Sequence, residues 1–357
     1  MNNHNIKHRI NHVTCIIFFA ITILALNSCK KKEESPAPVT SSNPGFFIVN
    51  EGNYTWGNSS LSFYDDITGE IQNQVFYRVN NVPLGDVAYA MYIYNEKAYI
   101  TVNNSGRIYV IDPFTFKHSG TLQGLVSPRQ ILFLTEQTAL ISDLYDTRIT
   151  VFNPSSLTII NTIETGNSTE GFAISGNNIF VTCWSFQNRV LVINKSNLAI
   201  IDTLIVGIQP KWAKTDKNGT VWILCDGGYQ GNPAGFENPS FYTINTDLLV
   251  EKRIEFPSAQ YATYGFDINP AGDSLFVICN GVSAFSVNDT VFPQQQIIPA
   301  NGRNFYGIRV HPTSNKIVLT DATNFSSDGK ACLYSTSGQL LGSWTTGINP
   351  GWVCFRP

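Results

Sequence analysis

The chain has 357 residues, with Lys+Arg 23 against Asp+Glu 26 and a formal charge of −3. Apolar residues make up 43% and charged ones only 14%, which excludes a disordered chain and a charge-laced helical one. With no basic excess to neutralise phosphates, no nucleic-acid partner is expected. Three of the 5 histidines (His4, His8 and His12) precede residue 15, leaving His118 and His311. That distribution argues against a multi-histidine metal site and against histidine-based catalysis.

The first element is an address. Lys7, His8 and Arg9 precede an apolar run from Val13 to Leu26. This run is too short for a comfortable membrane span but suits the core of a signal peptide. It ends in Leu26-Asn27-Ser28-Cys29, which resembles a bacterial lipobox. Residues 1–28 are therefore expected to be a lipoprotein signal peptide, and Cys29 the lipidated first residue of the mature protein. Lys30-Lys31-Lys32-Glu33-Glu34 and a Pro/Ser-rich stretch follow. Residues 29–45 thus read as a flexible tether. Its paired acids resemble the surface-export signal of Bacteroidetes lipoproteins, which implies a lipid-anchored protein of the outer membrane, exposed at the cell surface. The later cysteines, Cys183, Cys225, Cys279, Cys332 and Cys354, lie in apolar runs without a C-x-x-C spacing. They are expected to be buried free thiols, not metal ligands.

From Phe46 to the end, short Val/Ile/Phe/Tyr runs alternate with Gly/Pro/Asn/Asp/Ser clusters, an all-β signature. One strand recurs: Phe47-Ile48-Val49-Asn50, Ile100-Thr101-Val102-Asn103, Leu140-Ile141-Ser142-Asp143, Phe180-Val181-Thr182-Cys183, Trp222-Ile223-Leu224-Cys225, Phe276-Val277-Ile278-Cys279 and Ile317-Val318-Leu319-Thr320. A period of roughly 40–50 residues is that of four-stranded propeller blades. Residues 46–357 are therefore expected to form a seven-bladed β-propeller. The first repeat lacks a leading strand, and the chain ends on a spare one, Trp352-Val353-Cys354-Phe355. Pairing of that C-terminal strand with the first blade would close the ring and remove an exposed edge.

In such a ring the connections between second and third strands and between blades share one face, here called the top. The bottom turns, such as Lys217-Asn218-Gly219 and Ala271-Gly272-Asp273, need only turn residues. The top loops instead collect rings and directed hydrogen-bonding groups, which marks this as the recognition face. Ligand contacts are expected from Arg129, Tyr145, Trp184, Gln187, Arg189, Tyr229 and Tyr306. Carboxylates also gather there (Glu51, Asp86, Asp143, Asp146, Glu170, Asp226, Asp321 and Asp328). However, Asp143, Asp226 and Asp321 stand at or beside equivalent blade positions, where Asp caps turns. No G-x-S-x-G, H-E-x-x-H or calcium-loop motif occurs. The chain reads as a binder without catalytic residues, cofactor or metal. The competing readings are a glycan- or protein-adhesion module and a carboxylate-dependent hydrolase or lyase.

Val49-Asn50-Glu51-Gly52-Asn53, Val102-Asn103-Asn104-Ser105-Gly106, Ser127-Pro128-Arg129, Asp143-Leu144-Tyr145, Thr182-Cys183-Trp184-Ser185, Gly207-Ile208-Gln209-Pro210 and Cys225-Asp226-Gly227-Gly228-Tyr229 resemble the YncE-like seven-bladed propeller lipoproteins of Bacteroidetes. The resemblance spans about Phe46 to Pro357. It implies a surface propeller that captures cobalamin or a related corrinoid and passes it to a TonB-dependent outer-membrane transporter. Cobalamin is then a transported ligand and not a cofactor.

Overall fold

The computed structural model describes residues 40–259 and 263–357. The signal peptide, Cys29 and most of the tether lie outside the described residues, as do Gln260 and Tyr261. Twenty-seven strands, numbered β1–β27 in chain order, form seven antiparallel sheets. The first blade has the order β27-β1-β2-β3, with β27 (Pro350–Arg356) innermost beside β1 (Gly45–Asn50). The other six follow in sequence order: β4–β7 (88–122), β8–β11 (128–164), β12–β15 (172–205), β16–β19 (210–255), β20–β22 (266–286) and β23–β26 (305–348). The sixth sheet has three strands, and its outer edge is reduced to a single antiparallel bridge, Val282 with Ile298. Among the described residues one short α-helix, α1 (Val75–Asn80), leads from the first blade toward the second.

The C-terminal strand closes the ring as the repeat arithmetic requires. Phe47 pairs with Cys354, Ile48 with Val353 and Val49 with Trp352. On its other sides β27 packs beside the inner strands of the second and seventh blades. The sheet registers move two of the seven repeats by one residue: Val102 and Asp321, not Asn103 and Thr320, pair with the top of their inner strands.

The core is seven apolar layers, one between each pair of neighbouring blades. Every blade is covered on both faces, so its strands are apolar almost throughout. In β13 (Asn178–Cys183), Ile179, Val181 and Cys183 face the third blade while Phe180 faces the fifth. Each of Cys183, Cys225, Cys279, Cys332 and Cys354 is a free buried thiol in one of these layers. Burial pushes the Cys183 and Cys354 thiols up to about 12.

Packing against the propeller already involves residues before Phe46. Ser41 is buried, its Oγ donating to Asp65 Oδ2 at 2.9 Å, and Asn43 Nδ2 donates to the same carboxylate. Arg356, from the last strand, donates to the carbonyls of Ser41 (3.0 Å), Pro113 (2.6 Å) and Asn43. Its guanidinium lies 4.0 Å over the Phe63 ring. Residues near the two ends of the described body, Ser41 and Arg356, are thus joined at its bottom.

Candidate functional site

The inner strands run from top to bottom, and most carry a β-bulge near their start. The register shifts fall between Ala88 and Ala90, Pro128 and Ile131, Pro210 and Trp212, Phe305 and Gly307, and within the pairing of Pro350 and Trp352. A bulge inserts an unpaired residue and re-aims its side chain. The inserted residues are Tyr89, Arg129, Lys211, Tyr306 and Gly351. Glu170 and Tyr264 precede the inner strands of the remaining two blades. Each blade therefore contributes one residue around the axis: Gly351, Tyr89, Arg129, Glu170, Lys211, Tyr264 and Tyr306. Gly351 has no side chain, and Glu51 from the end of the neighbouring strand fills its place. A Cβ on Gly351 would lie 2.5 Å from Glu51 Oε1.

Buried hydroxyls hold three of these residues by the backbone. Thr101 Oγ1 accepts from Ala90 N (3.0 Å) and donates to Arg129 O (2.9 Å). Ser142 Oγ accepts from Gln130 N (3.0 Å) and donates to Glu170 O (2.6 Å). Thr182 Oγ1 accepts from Gly171 N (2.7 Å) and donates to Lys211 O (3.1 Å). In each case a hydroxyl of one blade fixes the axial residue of the next.

The side chains enclose an axial cavity of about 210 Å³, lined by Glu51, Tyr89, Arg129, Leu144, Trp184, Lys211, Trp212, Tyr264, Tyr306, Gly351 and Trp352. Arg129 and Glu170 form a forked ion pair, Nη2–Oε1 2.8 Å and Nε–Oε2 2.8 Å, with both residues buried. Tyr89 donates its hydroxyl to Glu170 Oε1 (2.5 Å), and the Arg129 guanidinium lies 3.4 Å over the Tyr89 ring. Burial opposes the Arg129 charge, but Glu170 outweighs it and the guanidinium holds its proton more firmly than usual. Tyr306 donates to Glu51 Oε2 at 3.1 Å. Burial raises the Glu51 carboxyl despite Arg129 and Lys211 nearby, and burial lowers the Lys211 ammonium. Lys211 Nζ sits 4.7 Å over Trp184 and 5.6 Å from the Trp212 ring. Trp184 Nε1 donates to Asp226 Oδ2 at 2.6 Å, and burial raises that carboxyl.

Below the mouth a charged cluster narrows the channel. Lys214 Nζ pairs with Asp267 Oδ1 at 2.6 Å, Arg309 Nη1 approaches the same oxygen at 3.7 Å, and the Arg309 guanidinium stacks 4.2 Å over Trp352. Only about 20 Å³ of space remains beside these groups.

A second top cavity, of about 410 Å³, shares Trp184 and Tyr264 with the first and adds Phe186, Gln209, Asp226 and Tyr229. Around both stand exposed rings: Tyr54 (66% exposed), Trp56 (76%), Tyr145 (68%), Phe186, Tyr229, Phe236 and Phe325. Phe186 and Phe325 hold left-handed backbone, with φ of 57° and 61°, a conformation that bulky residues seldom adopt. A third cavity, of about 340 Å³, lies away from the axis between the first blade, the seventh blade and α1; its one charged lining residue is Asp328.

A family model described as a domain of unknown function (DUF5074) matches residues 44–335. The chain belongs to the DUF5074 family. No curated protein matches it. Among solved structures, this DUF5074 propeller is similar to a quinonprotein alcohol dehydrogenase-like protein from Bacteroides thetaiotaomicron (16% identity, TM-score 0.68, covering 88% of this chain and 79% of that one). It is also similar to a protein from Lactobacillus plantarum (13% identity, TM-score 0.65, 88% and 100% covered). A functionally unknown protein from Desulfotomaculum acetoxidans is a third such structure (16% identity, TM-score 0.64, 88% and 99% covered). At these identities the likeness carries the fold.

Of the residues expected from the sequence to contact a ligand, the DUF5074 propeller brings Arg129, Trp184 and Tyr306 to the axial cavity and Tyr229, again with Trp184, to the second. Tyr145 is exposed on the rim. Gln187 is half-buried, its carbonyl accepting from Gln209 N at 2.7 Å. Arg189 begins a third strand of its blade, at a distance from both cavities, and its Nε has no acceptor among the described residues. Asp143, Asp226 and Asp321 cap turns: Asp143 Oδ1 accepts from Tyr145 N and Asp146 N, Asp226 Oδ1 from Gly228 N, and Asp321 Oδ1 from Thr323 N. Tyr89, Lys211, Trp212 and Tyr264 were absent from the sequence-based set, as were Glu51 and Glu170 in a binding role. A signal for some of them was present. Pro128-Arg129, Pro210-Lys211 and Pro350-Gly351 repeat a proline followed by the inserted residue.

Proposed function

We propose that this propeller is a lipid-anchored capture protein at the outer face of the outer membrane. On this reading it holds a cobalamin-type corrinoid across its top face and delivers it to a TonB-dependent transporter. The observation that carries the reading is the crown of exposed rings from several blades, two of them on left-handed backbone. Rings held out in water over a recessed polar mouth are poorly suited to packing and well suited to a broad, partly planar ligand. A corrin macrocycle offers such a face, and its amide arms match the Gln, Asn and Arg groups between the rings. A corrinoid is far larger than the axial cavity, so it would lie over the mouth and the second cavity without entering the first.

Binding, not turnover, also fits the engagement of the top carboxylates. Glu170 is committed to Arg129 and Tyr89, Asp226 to Trp184 and Gly228, and Asp143 and Asp321 to their turns. The membrane anchor and surface location rest on Cys29 and its flanks. The test is cobamide affinity of Tyr145→Ala, Phe186→Ala and Tyr229→Ala beside Lys217→Ala on a bottom turn. A ring that anchors the ligand costs about 2 kcal/mol, some thirtyfold in affinity. Wild-type affinity in all three rim variants, with unchanged melting temperatures, would contradict the reading.

A further inference from the structure

The axial cavity is too small for the ligand proposed to cover it, and its charges are arranged for something else. Arg129 and Glu170, from adjacent blades, satisfy one another. Two half-buried charges at the cavity remain. Lys211 projects from the fifth blade, and its ammonium forms no ion pair among the described residues; its neighbours there are the Trp184 and Trp212 rings. Glu51 belongs to the first blade, which faces the fifth across a seven-membered ring. Its carboxylate has a hydroxyl partner, Tyr306, but no cation within ion-pair distance among the described residues. The two charges are thus held apart on opposite walls of one cavity. Two further features give each wall a direction. The Trp184 and Trp212 ring faces lie 4.7 and 5.6 Å from the Lys211 ammonium. On the other side Glu51 is flanked by the Tyr306 ring, which packs 5.0 Å from Tyr264. An ammonium without a carboxylate partner makes a carboxylate seat. A carboxylate beside aromatic rings makes an ammonium seat.

We propose that the axial cavity binds a small zwitterion of the amino-acid class, its carboxylate on Lys211 and its ammonium on Glu51. Such a ligand supplies both missing partners at once, which neither an anion nor a cation does. The volume of about 210 Å³ falls below the roughly 300–1,000 Å³ of drug-sized sites, which limits the ligand's size. Seating needs no rearrangement of the ring, because the buried hydroxyls already hold the Arg129, Glu170 and Lys211 backbones. The proposal goes beyond corrinoid capture and concerns a separate, deeper compartment.

The test is calorimetric titration of the full chain, purified in detergent, with L-alanine, acetate and methylammonium. L-Alanine is expected to bind, and each half-ligand to bind at least about tenfold more weakly. Lys211→Met and Glu51→Gln should each weaken L-alanine binding about tenfold or more. Gly351→Ala should do the same by displacing the Glu51 side chain, since the new Cβ meets its carboxylate oxygen. Lys217→Ala should bind as wild type. Absence of L-alanine binding, acetate binding as tightly as L-alanine, or wild-type affinity in folded Lys211→Met and Glu51→Gln would each overturn the proposal. Repeating the titration with cyanocobalamin present separates the two claims, because each ligand is read on its own.

Discussion

Removing Glu170 tests how the axial ring is held. In Glu170→Leu the Arg129 guanidinium remains enclosed against Tyr89, 3.4 Å over the ring, with its carboxylate gone. Breaking a buried pair from one side costs about 3–5 kcal/mol, because an uncompensated charge is left inside. For a body spanning Val39–Pro357, a melting entropy of about 0.67 kcal/mol/K converts this to a fall of about 4–7 °C in Tm. Arg129→Leu/Glu170→Leu removes both charges, and replacing a pair by apolar groups is often nearly neutral. Tyr89 then loses its acceptor, a cost of about 1–3 kcal/mol. The double variant should therefore melt above Glu170→Leu, within about 1–5 °C of wild type. Thermal unfolding followed by circular dichroism reads both. A single variant as stable as wild type, or a double variant less stable than the single one, would refute the reasoning.

Deleting Trp352 to Pro357 removes the innermost strand of the first blade, including Trp352 with its hydrogen bond to Met91 O (2.9 Å). A loss of more than about 5 kcal/mol is expected, since one buried Trp alone is worth about 3–5, and an unchanged melting temperature would contradict the closure. Thr182→Val orphans Gly171 N–H and the acceptor Lys211 C=O, so it should cost about 1–3 kcal/mol by denaturant titration. Burial raises the Asp267 carboxyl, but Lys214 and Arg309 more than reverse this and leave its folded pKa depressed. Its stabilising contribution is therefore complete above the unfolded value of about 3.9 and lost as pH falls through the lower folded one. Between about pH 4 and pH 2 the Tm of Asp267→Asn should accordingly fall less steeply than that of wild type.

The architecture was legible because propeller blades repeat the same physical demand. Each blade is covered on both faces, so its second strand is an apolar run, and seven such runs at blade spacing can be counted directly. The spare strand at Trp352 was legible by the same logic, as the partner the first repeat lacked. The site was only partly legible. Rings and cations in top loops are visible in composition, which brought Trp184 and Tyr229 to notice. A β-bulge, however, leaves only a partial mark in the sequence, the proline before Arg129, Lys211 and Gly351. Tyr89 lies inside a strand by pattern, and only the register shift turns it toward the axis. Glu51 was harder still, because its place depends on the missing side chain of a glycine 300 residues away, Gly351. Arg189 sits in a top loop by sequence, yet begins a third strand, one step outward from the channel.

The most direct measurement of the central claim, capture at the top face, is calorimetric titration of the full wild-type chain with cyanocobalamin, with haem and an oligosaccharide mixture as comparisons. The account predicts saturable 1:1 binding of the corrinoid at micromolar concentration or below, and little or no heat from the other two. A folded protein that binds no corrinoid at micromolar concentration would contradict the ligand assignment while leaving the seven-bladed ring intact.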